Sequence, residues 1–307
     1  MDALAHYLHE ATAIRGTGVK ETSFYPALAT LFNDVGKTLK PRVRCIIHPT
    51  GKGAGLPDGG FFTPDQLRGD ADTFAAMKAN LLPARGVLEV KGAADDAPTV
   101  AHSPQVAKYL QRYGLVLVTN LRDFLLVEAG PDGKATTIDR YTLAPNEAAF
   151  WELAARPTDV AREHGATFAD FLARAMLSAA PLTRPEDVAW FLASYARDAR
   201  FQLEGRGLPA LASIRTALED ALGLHFRGEQ GDHFFLSTFL QTLFYGVFSA
   251  WVLWHTERPD RTDRFEWRMS EWYLRVPESP PYLKPSPPGA PLNRSACSKR
   301  LTAPPPC

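Results

Sequence analysis

Apolar residues in the first half of the chain follow two different periodicities. Between residues 24 and 35 they recur at helical spacing, which predicts a helix with one buried stripe. The members of that stripe are Phe24, Leu28, Leu31, Phe32 and Val35. Short segments rich in apolar residues follow at 42–47, 86–90, 115–119 and 124–127. Their length, and their closure by glycine or polar residues, is typical of strands.

A further strand is predicted to begin at Asp58, within Leu56-Pro-Asp-Gly-Gly-Phe-Phe62, and a second helix at Ser103 or Pro104, ending at Gly114. In this helix Gln105 and Tyr109 are four positions apart, so they lie on one face. The resulting order of helix, three strands, helix and strand predicts an α/β domain over residues 1–145.

Acidic and basic residues stand at the ends of two of these strands. Asp58 begins one strand, and Glu89 and Lys91 lie two positions apart near the end of the next, so that they share a face. Val90 between them points to the opposite, apolar side. Two carboxylates are enough to hold Mg²⁺, which keeps several waters, and a nearby lysine can orient a water and oppose phosphate charge. The arrangement predicts a metal-dependent phosphodiesterase site.

The same short patterns also occur elsewhere in the chain. Pro-Asp recurs at 64–65, 131–132 and 259–260, and Asp132-Gly-Lys134 repeats the acid-x-Lys spacing in a turn-forming sequence. Glu89 and Lys91 can equally be an ordinary ion pair on a strand edge, and Gln105 and Tyr109 a helix face packed on the sheet. The hypothesis therefore depends on position along the chain more than on spacing.

The succession of Glu21, Pro57-Asp58, Glu89-Val-Lys91 and Gln105-x-x-x-Tyr109 resembles the PD-(D/E)xK nuclease superfamily, in particular its RecB-like and type I restriction branches. The stretches 21–26, 53–58 and 118–124 also resemble the N-terminal region of single-chain, type ISP-like restriction–modification proteins. In those proteins a nuclease domain precedes an adenine-specific DNA methyltransferase. The resemblance covers roughly residues 1–277.

The resemblance implies a restriction-endonuclease-like core of order αβββαβ, with a mixed central sheet flanked by helices. It also implies roles for individual residues. The Mg²⁺-binding group would consist of Asp58, Glu89, the Val90 carbonyl and, as an accessory catalytic ligand, Glu21. Lys91 would position or activate the attacking water. Gln105 and Tyr109 would shape the site and contact the DNA.

The expected activity is Mg²⁺-dependent endonucleolytic hydrolysis of DNA by a metal-activated water, in a restriction–modification or phage-defence protein. Two alternatives stay open. The chain can be a fragment of an N6-adenine methyltransferase fusion that is inactive alone, with S-adenosylmethionine bound only by the missing part. It can also be a nonenzymatic DNA-binding module with a nuclease-like fold. The target sequence, any nucleotide requirement and the oligomeric state do not follow from the sequence.

Composition changes this picture little. The formal net charge is zero, so no global basic signal for nucleic acid exists. A local basic cluster either contacts phosphates or is a solvated face; it comprises Lys37, Lys40, Arg42, Arg44 and Lys52. The three cysteines, Cys45, Cys297 and Cys307, show no disulfide or metal spacing, and the sequence shows no signal peptide. A cytoplasmic protein is therefore expected.

Residues 146–277 are predicted to form an α-helical connector domain. The most apolar segment, 234–254, is about long enough to span a bilayer. It also carries polar residues that cluster on one helical side, namely Ser237, Thr238, Gln241 and Thr242. We therefore expect a buried central helix and no membrane association.

The segment 278–307 is rich in proline and is predicted to be disordered. Within it, Ser279-Pro-Pro-Tyr282 matches a loose motif of amino-methyltransferases, which we interpret as a chance match in a proline-rich tail. Because the resemblance stops near residue 277, our hypothesis is that the chain is truncated or frameshifted before a methyltransferase region.

Overall fold

The computed structural model describes residues 2–15, 21–47, 56–67, 82–130, 132–204, 206, 208–257 and 265–274. The chain divides into two compact units, Met1–Glu204 and Gly205–Cys307. The predicted proline-rich tail and its Ser279-Pro-Pro-Tyr282 motif lie outside the described residues.

The first unit is built on one sheet. Its strands are β1 (Arg44–Ile47), β2 (Gly59–Phe62), β3 (Val87–Val90), β4 (Leu115–Thr119), β5 (Asp123–Ala129) and β6 (Ala135–Thr142). They lie side by side in chain order. Only β3 and β4 run parallel, and every other neighbouring pair is antiparallel. The predicted α/β class is confirmed as a mixed, six-stranded sheet with helices.

The helices of the first unit flank this sheet. They are α1 (Ala3–Arg15), α2 (Tyr25–Gly36), α3 (Ala97–Ala101), α4 (Pro104–Tyr113), α5 (Glu147–Ala154), α6 (Pro157–Leu177) and α7 (Pro185–Leu203). A 3-10 turn, Glu21–Phe24, leads into α2. Helices α3 and α4 form the crossover between the parallel strands, since a parallel pair cannot be joined by a tight turn.

The ends of α4 follow the sequence signals that predicted them. The Ser103 side chain accepts a hydrogen bond from the Val106 N–H and so caps the first turn. Pro104 occupies the first turn, where its missing N–H costs nothing. Gly114 ends the helix at φ 76°, a left-handed conformation that suits glycine. These local signals determine where the helix begins and ends, and therefore where Gln105 and Tyr109 lie on it.

Gln66 closes the long connection between β2 and β3. Its side-chain oxygen accepts from the N–H groups of Thr63 and Ala84, at 3.2 and 3.1 Å, and its amide donates to the Leu82 carbonyl at 2.7 Å. The two ends of the connection are thereby held together. The intervening residues 68–81 lie outside the described residues, but the strands on either side stay in register.

Two apolar cores cover the two faces of the sheet. Leu88 and Val90 of β3 face the larger core, which α1, α2, α5 and α6 complete. Val87 of the same strand faces a smaller core formed with α3 and α4. In the larger core Phe168 of α6 packs edge-on against Phe124 of β5, with ring centroids 5.0 Å apart. Helices beyond residue 145 therefore belong to the same core as the sheet, and the compact units divide after Glu204.

The described part of the second unit is helical. It consists of α8 (Pro209–Leu222), α9 (Gly228–Glu257), a 3-10 turn (Trp267–Met269) and α10 (Ser270–Tyr273). By length and composition α9 could cross a membrane, and its most apolar window is only 11% buried. Among the described residues, the helix is therefore not the buried central helix that was expected. The described neighbours, α8 and the four-residue α10, are too small to cover a 30-residue helix.

Candidate active site

The end of the β2–β3 pair brings two carboxylates together. These strands pair at Gly59–Leu88 and Gly60–Val87; Asp58 directly precedes Gly59, and Glu89 directly follows Leu88. The negative charge of Asp58 raises the pKa of Glu89, which shows that the two carboxylates are close. The two acidic side chains, 31 positions apart in sequence, therefore meet at one edge of the fold.

Both oxygens of Asp58 accept hydrogen bonds from defined donors. The Tyr25 hydroxyl, at the start of α2, donates to one oxygen at 2.7 Å. The main-chain N–H of Val90 donates to the other, also at 2.7 Å. Because the pairing of β2 with β3 ends at Leu88, the Val90 N–H has no main-chain partner on β2, and the Asp58 carboxylate accepts its hydrogen bond instead. A carboxylate has about four lone-pair positions, so both oxygens retain capacity for a further contact.

Glu89 and Lys91 form the second half of the site. The side chain of Glu89 is 1% exposed, and one of its oxygens lies 2.5 Å from the Lys91 ammonium. The same ammonium donates to the Val90 carbonyl at 3.2 Å. The amine, the carboxylate and the main-chain carbonyl are thus gathered at the end of β3, and the alternation of side chains in a strand had predicted that Glu89 and Lys91 share a face.

Gln105 and Tyr109 connect α4 to these carboxylates. The Gln105 amide donates to the free Glu89 oxygen at 3.2 Å and to the Tyr109 hydroxyl at 2.8 Å. The Tyr109 hydroxyl in turn donates to the Leu56 carbonyl at 2.7 Å. Gln105 is exposed, whereas Tyr109 is buried in the smaller core. Tyr109 therefore packs on the sheet, and Gln105 stands where a substrate could reach it.

Burial and crowding of negative charge shift the titration of the site. The pKa of Glu89 is raised to about 7: burial is the largest cause, the neighbouring Asp58 carboxylate adds to it, and the hydrogen bond and charge of Lys91 oppose both. Burial by itself lowers the pKa of Lys91, but its hydrogen bond to Glu89 and the surrounding carboxylates outweigh this effect and raise it overall. Lys91 is therefore a charged ammonium near neutral pH, able to donate hydrogen bonds and unable to accept a proton.

Glu21 lies at the edge of this group. Burial raises its pKa, Lys91 lowers it, and the Asp58 and Asp95 carboxylates raise it. Its charge is therefore close enough to be coupled to the site. The 3-10 turn that carries it precedes α2, which also supplies Tyr25. One short segment thus presents both residues to the end of the sheet.

Asn120 and Arg122 hold the loop that follows Lys91. The Asn120 amide donates to the Asp95 carbonyl at 2.7 Å. The guanidinium of Arg122, which is 8% exposed, donates to the carbonyls of Ala93 and Asp95 and to the Asp123 carboxylate, at 3.1, 3.4 and 2.8 Å. Sequence analysis noted this stretch only as a matching motif. A run of Asn, Arg and Asp after a buried strand is the signal that could have indicated a structural network.

Tyr25 is the other contact that the sequence analysis missed. It lies within the matching stretch 21–26, one position after a residue of the apolar stripe, and nothing in its local pattern distinguishes a core tyrosine from a ligand of Asp58. Burial and the bond to Asp58 raise its pKa, so the hydroxyl stays protonated and acts as a donor.

The second acid-x-Lys sequence has a different environment. Asp132 and Lys134 lie in the turn between β5 and β6, where their side chains are 59% and 82% exposed and pair at 3.4 Å. Gly133 between them has φ 76°, which a turn requires. The turn interpretation is confirmed. The same three-residue pattern thus occurs once in solvent and once on a buried strand beside a second carboxylate.

The donor set fits a divalent cation that keeps part of its water. Glu21, Asp58 and Glu89 carry three negative charges when ionised and Lys91 one positive charge, a balance of −2. Within the described ranges, no three His, Cys, Asp or Glu side chains form a metal-binding group. A cation here would therefore rely on Asp58, Glu89, the Val90 carbonyl and water. Mg²⁺ is commonly bound through one or two carboxylates plus waters.

Comparison of the chain with protein-family models, with curated proteins and with solved structures found no match. The assignment of a function therefore depends on the site itself.

Proposed function

We propose that this chain is a Mg²⁺-dependent DNA endonuclease, with a restriction-endonuclease-like core, of a restriction–modification or phage-defence system. The observation that carries the proposal is the meeting of Asp58 and Glu89 at the end of adjacent strands, with the Lys91 ammonium 2.5 Å from Glu89. Two carboxylates that approach each other repel, and the single charge of Lys91 offsets only one of them. The site therefore supports a metal-assisted reaction on an anionic substrate.

The reaction is hydrolysis of a phosphodiester by water. When bound, Mg²⁺ supplies positive charge to the phosphate and lowers the pKa of a coordinated water. Asp58, Glu89 and the Val90 carbonyl would hold it, with Glu21 as an accessory acidic group. The Tyr25 hydroxyl and the Val90 N–H keep the Asp58 carboxylate in one orientation. This preorganisation removes the need to reorder the ligand during the reaction.

Lys91 acts as a charge and a hydrogen-bond donor. Because the carboxylates around it raise its pKa, it is suited to orient the attacking water and to stabilise negative charge that develops on the phosphate. Gln105, exposed and bonded to Glu89, is placed to contact the substrate backbone. The Tyr109 hydroxyl accepts a hydrogen bond from the Gln105 amide and so fixes its position. The pKa of Tyr109 is raised to about 12, chiefly by burial, so its hydroxyl stays protonated.

A plasmid cleavage assay with Mg²⁺ tests the proposal. Asp58→Ala and Lys91→Ala should abolish nicking and linearisation, because each removes a group that acts on the phosphate. The chain supplies a matched control in its exposed acid-x-Lys turn. Asp132→Ala and Lys134→Ala make the same chemical changes outside the site and should leave cleavage intact.

Equal cleavage by wild type, Asp58→Ala and Lys91→Ala would remove the site from the reaction. If wild type binds DNA but does not cleave it under any metal condition, the nonenzymatic DNA-binding module becomes the better account. An open reading frame with methyltransferase motifs directly downstream in the genome would support the fusion-fragment alternative.

A further inference from the structure

A basic groove lies along the β1 edge of the sheet, away from the carboxylates. It has a volume of about 600 Å³, and its lining includes Lys37, Arg42, Arg44 and, from the 3-10 turn that follows β2, Pro64 and Leu67. All three basic side chains are exposed. β1 is an edge strand of the sheet as far as the structure describes it, so no described strand covers this surface.

The charges of this groove are poorly compensated. Lys37 pairs with Asp34 at 2.6 Å on the helix α2. Arg42 and Arg44, by contrast, take part in no ion pair within the described chain. The lining residues carry three positive charges and one negative charge, a balance of +2; Asp65, in the adjoining 3-10 turn, is not among them. A chain with formal net charge zero has therefore concentrated positive charge at one place.

The alternation of buried and exposed residues at 42–45 indicates that the Arg42 and Arg44 side chains project to the same side. Val43 and Cys45 are buried, and the arginines between and before them are exposed. In an extended segment, side chains two positions apart project to one side. The buried residues anchor the segment in the larger core, so the two guanidinium groups are presented from a rigid element.

The register of the sheet relates this groove to the carboxylates. Arg44 pairs with Phe62 at one end of β2, and Asp58 directly precedes Gly59 at the other end. β2 therefore connects the groove to the carboxylate site. Four residues of strand span about 13 Å, a distance that a DNA duplex covers in about four base pairs.

We propose that the Lys37–Arg42–Arg44 groove binds the sugar–phosphate backbone of duplex DNA and guides it toward Asp58 and Glu89. This inference rests on the proposed nuclease function. Exposed guanidinium groups without partners are suited to phosphate oxygens, which they contact in bidentate fashion. Contacts to phosphates carry no information about the bases. Binding through this groove is therefore independent of DNA sequence and sensitive to salt concentration.

Binding measured without catalysis tests this groove. Fluorescence anisotropy with a labelled duplex, in EDTA and over a range of salt concentrations, compares wild type with Arg42→Ala/Arg44→Ala. Loss of two phosphate contacts should lower the slope of log affinity against log salt by about 2, and the affinity at about 0.1 M salt by roughly tenfold or more. Arg42→Lys/Arg44→Lys should retain most of the slope, because the charges remain.

Lys134→Ala/Arg162→Ala is the matched control, since it removes two positive charges whose side chains are 82% and 75% exposed elsewhere in the same unit. Thermal unfolding checks that every variant is folded. Equal affinity and slope in the groove variant and wild type would overturn the inference, as would an equal loss in the control or an absence of DNA binding by wild type. Failure of the nuclease proposal is separate, because it appears as absent cleavage with the groove effect still present.

Discussion

The main-chain N–H of Val90 donates a 2.7 Å hydrogen bond to the carboxylate of Asp58 at the point where β2 and β3 cease to pair. The bond ties a side chain before one strand to the backbone at the end of the next. It leaves the Val90 carbonyl in contact with Lys91 rather than with a strand partner. The end of a sheet, where main-chain groups lack partners, has thereby become a polar site.

Tyr25 is predicted to stabilise the fold through the charge of Asp58. Tyr25→Phe should lower the free energy of unfolding by about 1–2 kcal/mol, because a buried hydroxyl loses a hydrogen bond to a carboxylate. Denaturant unfolding of Tyr25→Phe, Asp58→Asn and the double variant measures the coupling between the two residues. Tyr7→Phe is the control, since the Tyr7 hydroxyl donates to the Leu121 carbonyl and should add independently to Asp58→Asn. Strict additivity of Tyr25→Phe and Asp58→Asn would contradict this prediction.

Mg²⁺ is predicted to stabilise the folded chain in the absence of DNA. A ligand that binds only the folded state contributes about 2.7 kcal/mol at 100 times its dissociation constant. A melting curve with and without Mg²⁺ should therefore show a shift in wild type and none in Asp58→Asn/Glu89→Gln. Asp132→Asn, in the exposed turn, should keep the shift. If all three proteins respond alike, the cation binds elsewhere.

Arg122 and Arg140 both contact the carboxylate of Asp123, at 2.8 and 3.2 Å, yet their replacement is predicted to have unequal effects. Arg122→Met removes a buried guanidinium together with its hydrogen bonds to the Asp123 carboxylate and to the Ala93 and Ala144 carbonyls, a loss of about 3–5 kcal/mol, although Arg140 still contacts Asp123. The Arg140 side chain is 51% exposed, so Arg140→Met should lower the free energy of unfolding by at most about 1 kcal/mol. Denaturant unfolding compares the two.

The same pair of variants reports on the loop after Lys91. Hydrogen exchange of residues 92–96 should become faster in Arg122→Met, since Arg122 donates to the carbonyls of Ala93 and Asp95. Exchange in Arg140→Met should match wild type. Unchanged exchange in folded Arg122→Met would show that Asn120 is sufficient to hold the loop.

His164 is predicted to make stability depend on pH. Burial lowers its pKa, with Glu163 opposing, and its ring nitrogen lies 3.1 Å from the Tyr141 hydroxyl. The folded state therefore favours the neutral ring. As pH falls below the unfolded value of about 6.5, the unfolded chain takes up a proton that the folded chain resists, so stability decreases. The loss is complete below the folded pKa.

Denaturant unfolding between pH 7.5 and about 5 measures this effect as a difference between variants. His164→Gln should lose less stability than wild type over that interval, because it has no ring to protonate. His102→Gln is the control: His102 is exposed and should leave the wild-type dependence in place. Parallel curves for His164→Gln and wild type would show that the buried ring does not contribute.

Local signals in the sequence were sufficient for the elements that carry the site. Ser103, Pro104 and Gly114 define α4 because capping and left-handed conformations depend on a few adjacent residues. Alternation along β3 placed Glu89 and Lys91 on one face and Val90 in the larger core. These inferences succeed because they require only the geometry of one helix or strand.

Other features depend on residues far apart in sequence. β6 is mostly exposed and alternates weakly, so no apolar run revealed it; it forms because β5 offers an edge to pair with. The boundary at residue 145 followed the change from predicted strands to predicted helices, whereas Phe150 and Phe168 join the core of the sheet. The apolar pattern of α9 indicated a buried helix, but burial requires neighbours, and the described part of its unit supplies few.

The sequence by itself determined the α/β class, the strand that bears Glu89 and Lys91, and the helix face that bears Gln105 and Tyr109. Only the tertiary structure decided that Asp58 meets Glu89 across a strand pair, that Tyr25 and the Val90 N–H orient its carboxylate, and that Arg122 holds the following loop. The physical reason is the distance along the chain over which each interaction acts. Helix caps and strand alternation act over a few residues, whereas the burial that raises the pKa of Glu89, and the charges around it, come from segments that the sheet alone brings together.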